Sequence, residues 1–318
     1  VVAGQGSGRT KLAYLTEERA ADVRARLLAL AHGLAGDTPE PWERPVLAVS
    51  SRRLVVANLL APGPLLVLAV LAVAVFLVVT DPAVAAALAG TAIALGIALG
   101  LATAHRVGAE WDFTLAEAPD GLRLKSGLLQ TRAETIPHGR AQAVRWVEPL
   151  LWRGTGWVRL EIDVARRRDR DRAENEAGST TRALLPVGTR AEALWLLSRV
   201  LPGADITPPP GSRAPRRSTW RAPLSRHNLD AWYDDRFIVC ALGRLRRSLV
   251  VVPMEKVQSL RWSQGPLSRA LRLATVHADT AGRRFPAAAL FRDAGQAREW
   301  MLALPDLARQ ARQGAVSR

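Results

Sequence analysis

Two stretches of this 318-residue chain align without a gap at an offset of 116 residues. Residues 136–165 read IPHGRAQAVRWVEPLLWRGTGWVRLEIDVA and residues 252–281 read VPMEKVQSLRWSQGPLSRALRLATVHADTA. The identities in register are Pro137/Pro253, Gln142/Gln258, Arg145/Arg261, Trp146/Trp262, Leu151/Leu267, Arg153/Arg269, Asp163/Asp279 and Ala165/Ala281. A gapless match of this extent means two copies of one domain about as long as the offset. Each copy reads as short strands broken by turn signals such as Pro119-Asp120-Gly121 and Gly127. The expected strands are 110–115, 122–125, 128–136 and 158–164 in the first copy, and 237–242, 248–252 and 274–280 in the second. A helix closes each copy. Thr189 and Glu192 have capping-box spacing ahead of 193–200, and Asp293 and Gln296 have it ahead of 297–304. The unit is therefore six or seven antiparallel strands followed by one helix. A polar insertion at about 166–182 is peculiar to the first copy, and matching Pro186 to Pro286 drops the offset to 100.

Charge is distributed unevenly around these copies. The chain has 44 Lys+Arg against 29 Asp+Glu, a net charge of +15. Residues 59–104 contain no Lys, Arg or Glu and a single acid, Asp81. The run 59–79 reaches roughly 30 Å as a helix, the thickness of a hydrocarbon core. Thr80-Asp81-Pro82 breaks it, and a second apolar run, 83–104, follows. This pattern predicts a transmembrane helical hairpin, in which Gly90, Gly96 and Gly100 would permit close helix approach. Arg52 and Arg53 precede the hairpin and His105 and Arg106 follow it, so the positive-inside rule puts both flanks in the cytoplasm.

The N-terminus resembles the tail of a third copy, with 9–15 as a last strand and 16–31 as a closing helix. No strands precede them for that helix to cap, which suggests an N-terminally truncated chain; a genuine N-terminal extension is the alternative. The expected organisation is a remnant at 1–33, a linker at 34–58, the hairpin at 59–104, a domain at 105–204, a Pro/Arg-rich linker at 205–226, a second domain at 227–312 and a tail at 313–318. The expected fold class is a multi-domain membrane protein. It would combine mainly-β (α+β) barrels, each closed by a C-terminal helix, with a two-helix transmembrane hairpin.

Several chemistries find no support. One cysteine, Cys240, excludes a disulfide framework and a Cys-based zinc site, and as an unpaired thiol fits a reducing compartment. The only Lys-Ser/Thr pair, Lys125-Ser126, follows Leu124 rather than glycine, which excludes a P-loop. None of the five histidines falls in a metal-binding spacing, and no Gly-x-Ser-x-Gly elbow occurs. Gly4–Gly8 is glycine-rich but precedes an expected strand, not a helix. His277 and Asp163/Asp279 read as surface or fold residues, and Cys240 as a small buried apolar one. No catalytic residue, cofactor or metal is expected. Nucleic acid is disfavoured as a partner, because bases and acids interleave and no recognition motif is present.

Two Arg-rich segments stand out. Arg166, Arg167 and Arg168 open the insertion. Arg213, Arg216, Arg217 and Arg221 surround Trp220 in a stretch, 212–226, that carries five arginines and no acid. Beside a bilayer such segments attract anionic headgroups by about 1 kcal/mol per Arg, and Trp suits an interfacial position. With Arg52, Arg53 and Arg106 they form the candidate membrane-surface contacts; a solvated linker and a solvated loop are the bland alternatives. The repeated Gln-x-x-Arg-Trp is read as structural, with a shared ligand pocket as the alternative.

The string Val252-Pro253-x-x-x-Val257-Gln258-Ser259-Leu260, then Gln264-Gly265-Pro266-Leu267-x-Arg269, then Leu273-Ala274-Thr275-Val276 and Thr280-Ala281-Gly282, resembles the bacterial PH domain 2 family of YdbS/YdbT-like membrane proteins. Ser51-Arg52-Arg53-Leu54 ahead of the apolar block is similar to the same arrangement. In the first copy Glu148-Pro149-Leu150-Leu151 replaces Gln-Gly-Pro-Leu, so the likeness is weaker there. The resemblance implies PH-like barrels at the cytoplasmic face of the cell membrane and carries no established catalytic residues. The expected function is a non-enzymatic binding or scaffold module for anionic lipid, a protein partner, or both. The alternatives are an accessory or regulatory subunit of an export or stress-response system, or an enzyme whose site lies upstream.

Overall fold

The computed structural model describes residues 43–63, 82–119, 121–129, 131–164, 183–282 and 284–316, with positions 69, 72, 73 and 76 between the first two ranges. The expected remnant at 1–33, most of the run 59–79, and Arg166, Arg167 and Arg168 lie outside the described residues.

The chain enters through strand β1 (Arg44–Ala48), helix α1 (Ser51–Leu59) and helix α2 (Pro82–Ala109). The first copy follows as β2 (Thr114–Ala118), β3 (Gly121–Ser126), β4 (Arg132–Pro137), β5 (Ala141–Pro149), the one-turn α3 (Trp152–Thr155), β6 (Trp157–Val164), β7 (Ala183–Thr189) and α4 (Arg190–Val200). The second copy is β8 (Ala231–Tyr233), β9 (Phe237–Leu242), β10 (Arg246–Pro253), β11 (Val257–Ser263), α5 (Pro266–Ala270), β12 (Leu273–Thr280), β13 (Ala287–Asp293) and α6 (Ala294–Val316). Short 3-10 turns, Arg216–Trp220 and Arg226–Asn228, lie between the copies. All strand pairs are antiparallel.

The copies are not separate beads. Their strands form sheets in the orders β1-β2-β3-β4, β7-β6-β5-β10-β9-β8 and β11-β12-β13. The middle sheet spans both copies, because β5 of the first pairs with β10 of the second from Arg246↔Pro149 to Val251↔Val144. This explains the unbroken apolar runs in the second copy. Phe237, Val239, Ala241, Leu249 and Val251 face a core that also holds Val144, Trp146, Leu160 and Leu197 of the first copy. Ile238, Cys240, Val250 and Val252 face the other way, into a core with Val276, Ala289, Trp300 and Leu304. Strands buried on both faces lose the usual apolar/polar alternation. β6 keeps it in sequence, with Val158, Leu160 and Ile162 fully buried on one face.

The capping box at Thr189 and Glu192 forms as expected, with the side chain of each accepting from the backbone N–H of the other. Its counterpart does not form. The Gln296 side chain instead accepts from Arg292 at 2.7 Å, and Asp293 caps through the Gly295 N–H at 2.9 Å. The helix that follows runs to Val316, through Pro305, because Trp300, Leu304 and Ala308 keep a buried stripe at helical spacing. Residues 110–113 form no strand: α2 runs to Ala109, and Glu110 turns inward as a partner of Arg159. Leu128 and Leu129 lie in an exposed bend, tied to the end of α2 through Gly127 N–H to Trp111 O (2.8 Å) and Leu128 N–H to Gly108 O (2.8 Å). The last strands also correct the alignment. Trp157 pairs with Thr189 and Leu273 with Asp293, so the offset falls to 104 rather than 100. Sheet register and helix caps align the copies, whereas the two prolines do not correspond.

The expected transmembrane hairpin is not supported, since no helix among the described residues is long and apolar enough to cross a membrane. The start of the expected first span, Leu59, is the end of the nine-residue α1, where the Leu60 N–H closes on Val56 O. That helix is docked on the first copy: Leu54 and Ala57 are buried, and the Trp152 indole donates to Ala57 O at 2.9 Å. Helix α2 carries no charged residue before Arg106, and Ile93, Leu95, Ile97 and Leu101 are exposed on it. The helix then continues past the expected span end through His105 and Arg106, and its Val107 packs on the first core. The run that Gly90, Gly96 and Gly100 were expected to face, 59–79, lies mostly outside the described residues.

Trp152 ties α1 to the barrel by both area and hydrogen bond. Trp152→Ala is expected to destabilise the chain by about 3–5 kcal/mol, and Trp152→Phe, which loses the indole donor, by about 1 kcal/mol. Urea unfolding of the two variants beside the parent measures both.

Candidate binding surfaces

The repeated Gln-x-x-Arg-Trp lies on β5 and again on β11, and the two settings differ. On β5 it forms the seam between the copies. Gln142 and Trp146 are buried, and Trp146 stands opposite Leu249 of β10. Arg145 donates to Glu161 at 2.6 Å and lies 4.3 Å over the Phe285 ring of the second copy. On β11, at the side of its sheet, Gln258 and Arg261 are exposed and Trp262 is 38% exposed against 6% for Trp146. Pro137 and Pro253 end β4 and β10. Gly265 is the N-cap of α5, Pro266 fills its first turn, where proline's missing N–H costs nothing, and Leu267 remains exposed.

Further contacts lock the seam. Asp163 accepts the Arg284 N–H at 2.9 Å, and a side chain on Gly282 would collide with the Asp163 carboxylate. Its repeat counterpart Asp279 instead takes a bidentate pair from Arg261 at 2.6 and 2.9 Å. That pairing holds the Asp279 carboxyl below the usual carboxylate range. Arg153 donates to Arg244 O at 2.6 Å. Beneath the seam, burial disfavours the charge on Arg159, but Glu110 and Glu161 outweigh this and raise its pKa above the ordinary guanidinium value. An open cleft of about 420 Å³ at one end of the seam is lined by Gln142, Glu255, Lys256, Val257, Gln258 and Arg312 among others. It thus brings the two repeated glutamines together.

The Arg-rich stretch before the second copy is built into the fold. Arg213 bridges to Asp230, with Ala214 N–H to Leu229 O and Ala231 N–H to Ser212 O, so it repeats the position of β1 beside β2. The 3-10 turn Arg216–Trp220 then stands where α1 stands in the first copy. Arg292, 1% exposed, anchors the stretch by donating to Ser212 O and Gly211 O, and burial lowers its pKa. Arg217 pairs with Asp293 and donates to Arg272 O at 3.2 Å. Arg221 lies 5.5 Å over Phe291 yet stays exposed, as do Arg213 and Arg216. Trp220 is 79% and Leu224 67% exposed. Arg53 bonds Glu192 at 3.0 Å, while Arg52 and Arg106 are exposed.

Ser263 Oγ lies 3.0 Å from His277 Nε2, but the neighbouring Asp279 is committed to Arg261 and Ser259. Burial, and next Arg261, lower the His277 pKa. Among the described residues no group of three or more His, Cys, Asp or Glu could hold a metal ion. Sequence reasoning missed the seam itself. The signal was present in the two apolar runs of 237–242 and 249–252, too continuous for one-sided strands.

The family model of the bacterial PH domain matches the chain twice, at residues 46–185 and 182–305. No curated protein shows a significant match.

Burial pushes the Cys240 thiol up to about 12. A thiol whose folded pKa exceeds its unfolded value of about 8.5 contributes stability below that value and loses it as pH rises towards 12. Urea unfolding from pH 8 to 11 should show the parent losing stability relative to Cys240→Ala, and the native thiol should not react with a disulfide reagent at pH 8. Removing the Arg292 anchor by Arg292→Ala should cost roughly 2–4 kcal/mol from its charge-assisted bonds. Tryptic cleavage within 213–221 of the native protein should then be at least about tenfold faster.

Proposed function

The chain belongs to the bacterial PH domain family, which suggests a module that binds lipid or protein, and we propose that this one is a non-enzymatic module binding anionic lipid at the cytoplasmic face of the cell membrane. The carrying observation is the corner between the copies. Trp220 and Leu224 are 79% and 67% exposed, and Arg213, Arg216 and Arg221 are exposed in the same 212–226 stretch. An exposed aromatic and an aliphatic side chain together with guanidinium groups match a headgroup layer, where indole sits at the interface and arginine meets phosphate. The corner is held in place by Arg292 and by the Arg217–Asp293 pair, so little order has to be gained on binding. Arg217 is therefore a positioning residue for the corner, and Arg213, Arg216 and Arg221 supply the attraction. The buried, unpaired Cys240 is compatible with a reducing compartment.

Sedimentation of the full chain with vesicles tests this reading. Binding should require phosphatidylglycerol or phosphatidylserine and weaken with salt. At about 1 kcal/mol per arginine, reversing Arg213, Arg216 and Arg221 together to Glu should reduce affinity by at least about 100-fold. Trp220→Ala should reduce it several-fold. Equal binding to neutral vesicles, or an unaffected triple variant, would overturn the reading.

A further inference from the structure

The seam between the copies is used once within the chain, and both of its halves recur at the sides of the outer sheets. The repeat offset makes β4 the counterpart of β10 and β11 the counterpart of β5. Among the described residues, β4 closes the four-stranded sheet on one side and β11 closes the three-stranded sheet. We infer that β11 of one chain pairs antiparallel with β4 of a second copy of this chain, repeating between molecules the β5·β10 seam found within one.

Three observations carry this. The first is burial. The same motif positions, Gln142 and Trp146 on β5, are covered by the neighbouring copy, whereas Gln258 and Trp262 on β11 are not. The second is the character of the edge. Exposed edge strands are usually blunted by Pro, charged side chains, bulges or extreme shortness; β11 runs seven residues, VQSLRWS, with no Pro and no Lys, its bulge is confined to Val257/Ser259, and the charge of Arg261 is matched by Asp279. Arg312 takes the Val257 carbonyl at 2.9 Å, so pairing would begin beyond it. The third is register. The internal seam pairs Ser248↔Val147, Leu249↔Trp146, Val250↔Arg145 and Val251↔Val144. Transposed by the repeat offset, these become Arg132↔Ser263, Ala133↔Trp262, Glu134↔Arg261 and Thr135↔Leu260. A small side chain then faces the large indole, and opposite charges face each other.

The two surfaces are different, so the contact is heterologous. Repetition gives a ring if the rotation closes and an open array if it does not. The inference needs no lipid and is independent of the reading given above for the corner.

The test uses the full chain without lipid. Light scattering behind size exclusion should give a mass that rises with concentration above the 34.4 kDa of one chain. Glu134→Arg or Arg261→Glu alone should weaken self-association about three- to tenfold, and the two together should restore it. Arg132→Cys and Ser263→Cys, introduced into separate chains, should be joined by a short thiol cross-linker when mixed, and neither should cross-link by itself. A mass fixed at one chain, failure of the double reversal to restore association, or equal cross-linking of Ser263→Cys alone (β11 against β11) would each overturn the proposal.

Discussion

The antiparallel pairing of β5 with β10 is the contact on which the rest of the molecule depends. It turns two repeats into one six-stranded sheet and gives the strands of the second copy two faces to bury. Each side contact follows from it. Asp163 can reach the 282–284 loop, and Arg145 can lie on Phe285, because the sheet brings the end of one copy against the hairpin of the other. Without the pairing, Phe237, Val239, Leu249 and Val251 would face water, at roughly 1.5–3 kcal/mol for each side chain.

The repeat is thus symmetrical in sequence and asymmetrical in use. Equivalent aspartates do different work: Asp163 receives a backbone N–H across the seam, while Asp279 holds its own strand neighbour Arg261. Equivalent caps also differ, since Thr189 and Glu192 complete a reciprocal box while Gln296 is drawn off to Arg292. The cause lies in what each copy must support. The second copy carries the Arg-rich corner, and Arg292 is taken up in fixing its backbone carbonyls.

Local patterns in the sequence revealed much of this. The gapless repeat, the Thr189 cap and the β9 boundaries all rest on signals within a few residues. What depended on distant partners was hidden. The apolar block at 59–104 resembled a membrane hairpin because composition cannot register that Leu59 ends α1, whose buried face docks under Trp152. Nor can it register that Val107 belongs to the first core. The arginines of 212–221 looked alike in sequence. Only their surroundings divide them into Arg217, half-buried and bound to Asp293, and Arg213, Arg216 and Arg221, which stay exposed although Arg213 lies beside Asp230 and Arg221 over Phe291. The repeated tryptophan announced a fold element without showing that one copy covers it and the other leaves it partly open.

The double-sided burial of β9 and β10 also bears on how such a chain can arise and persist. A strand that is apolar on both faces is a poor component by itself, because one of those faces has no cover until the first copy is present. β10 must also find a partner strand about a hundred residues earlier in the chain, a long-range closure of the slow kind. Joined in this way, the two copies are not interchangeable. Recombination that delivered the second copy alone would deliver a sticky sheet, so the pair, rather than the single repeat, is what can be passed on intact.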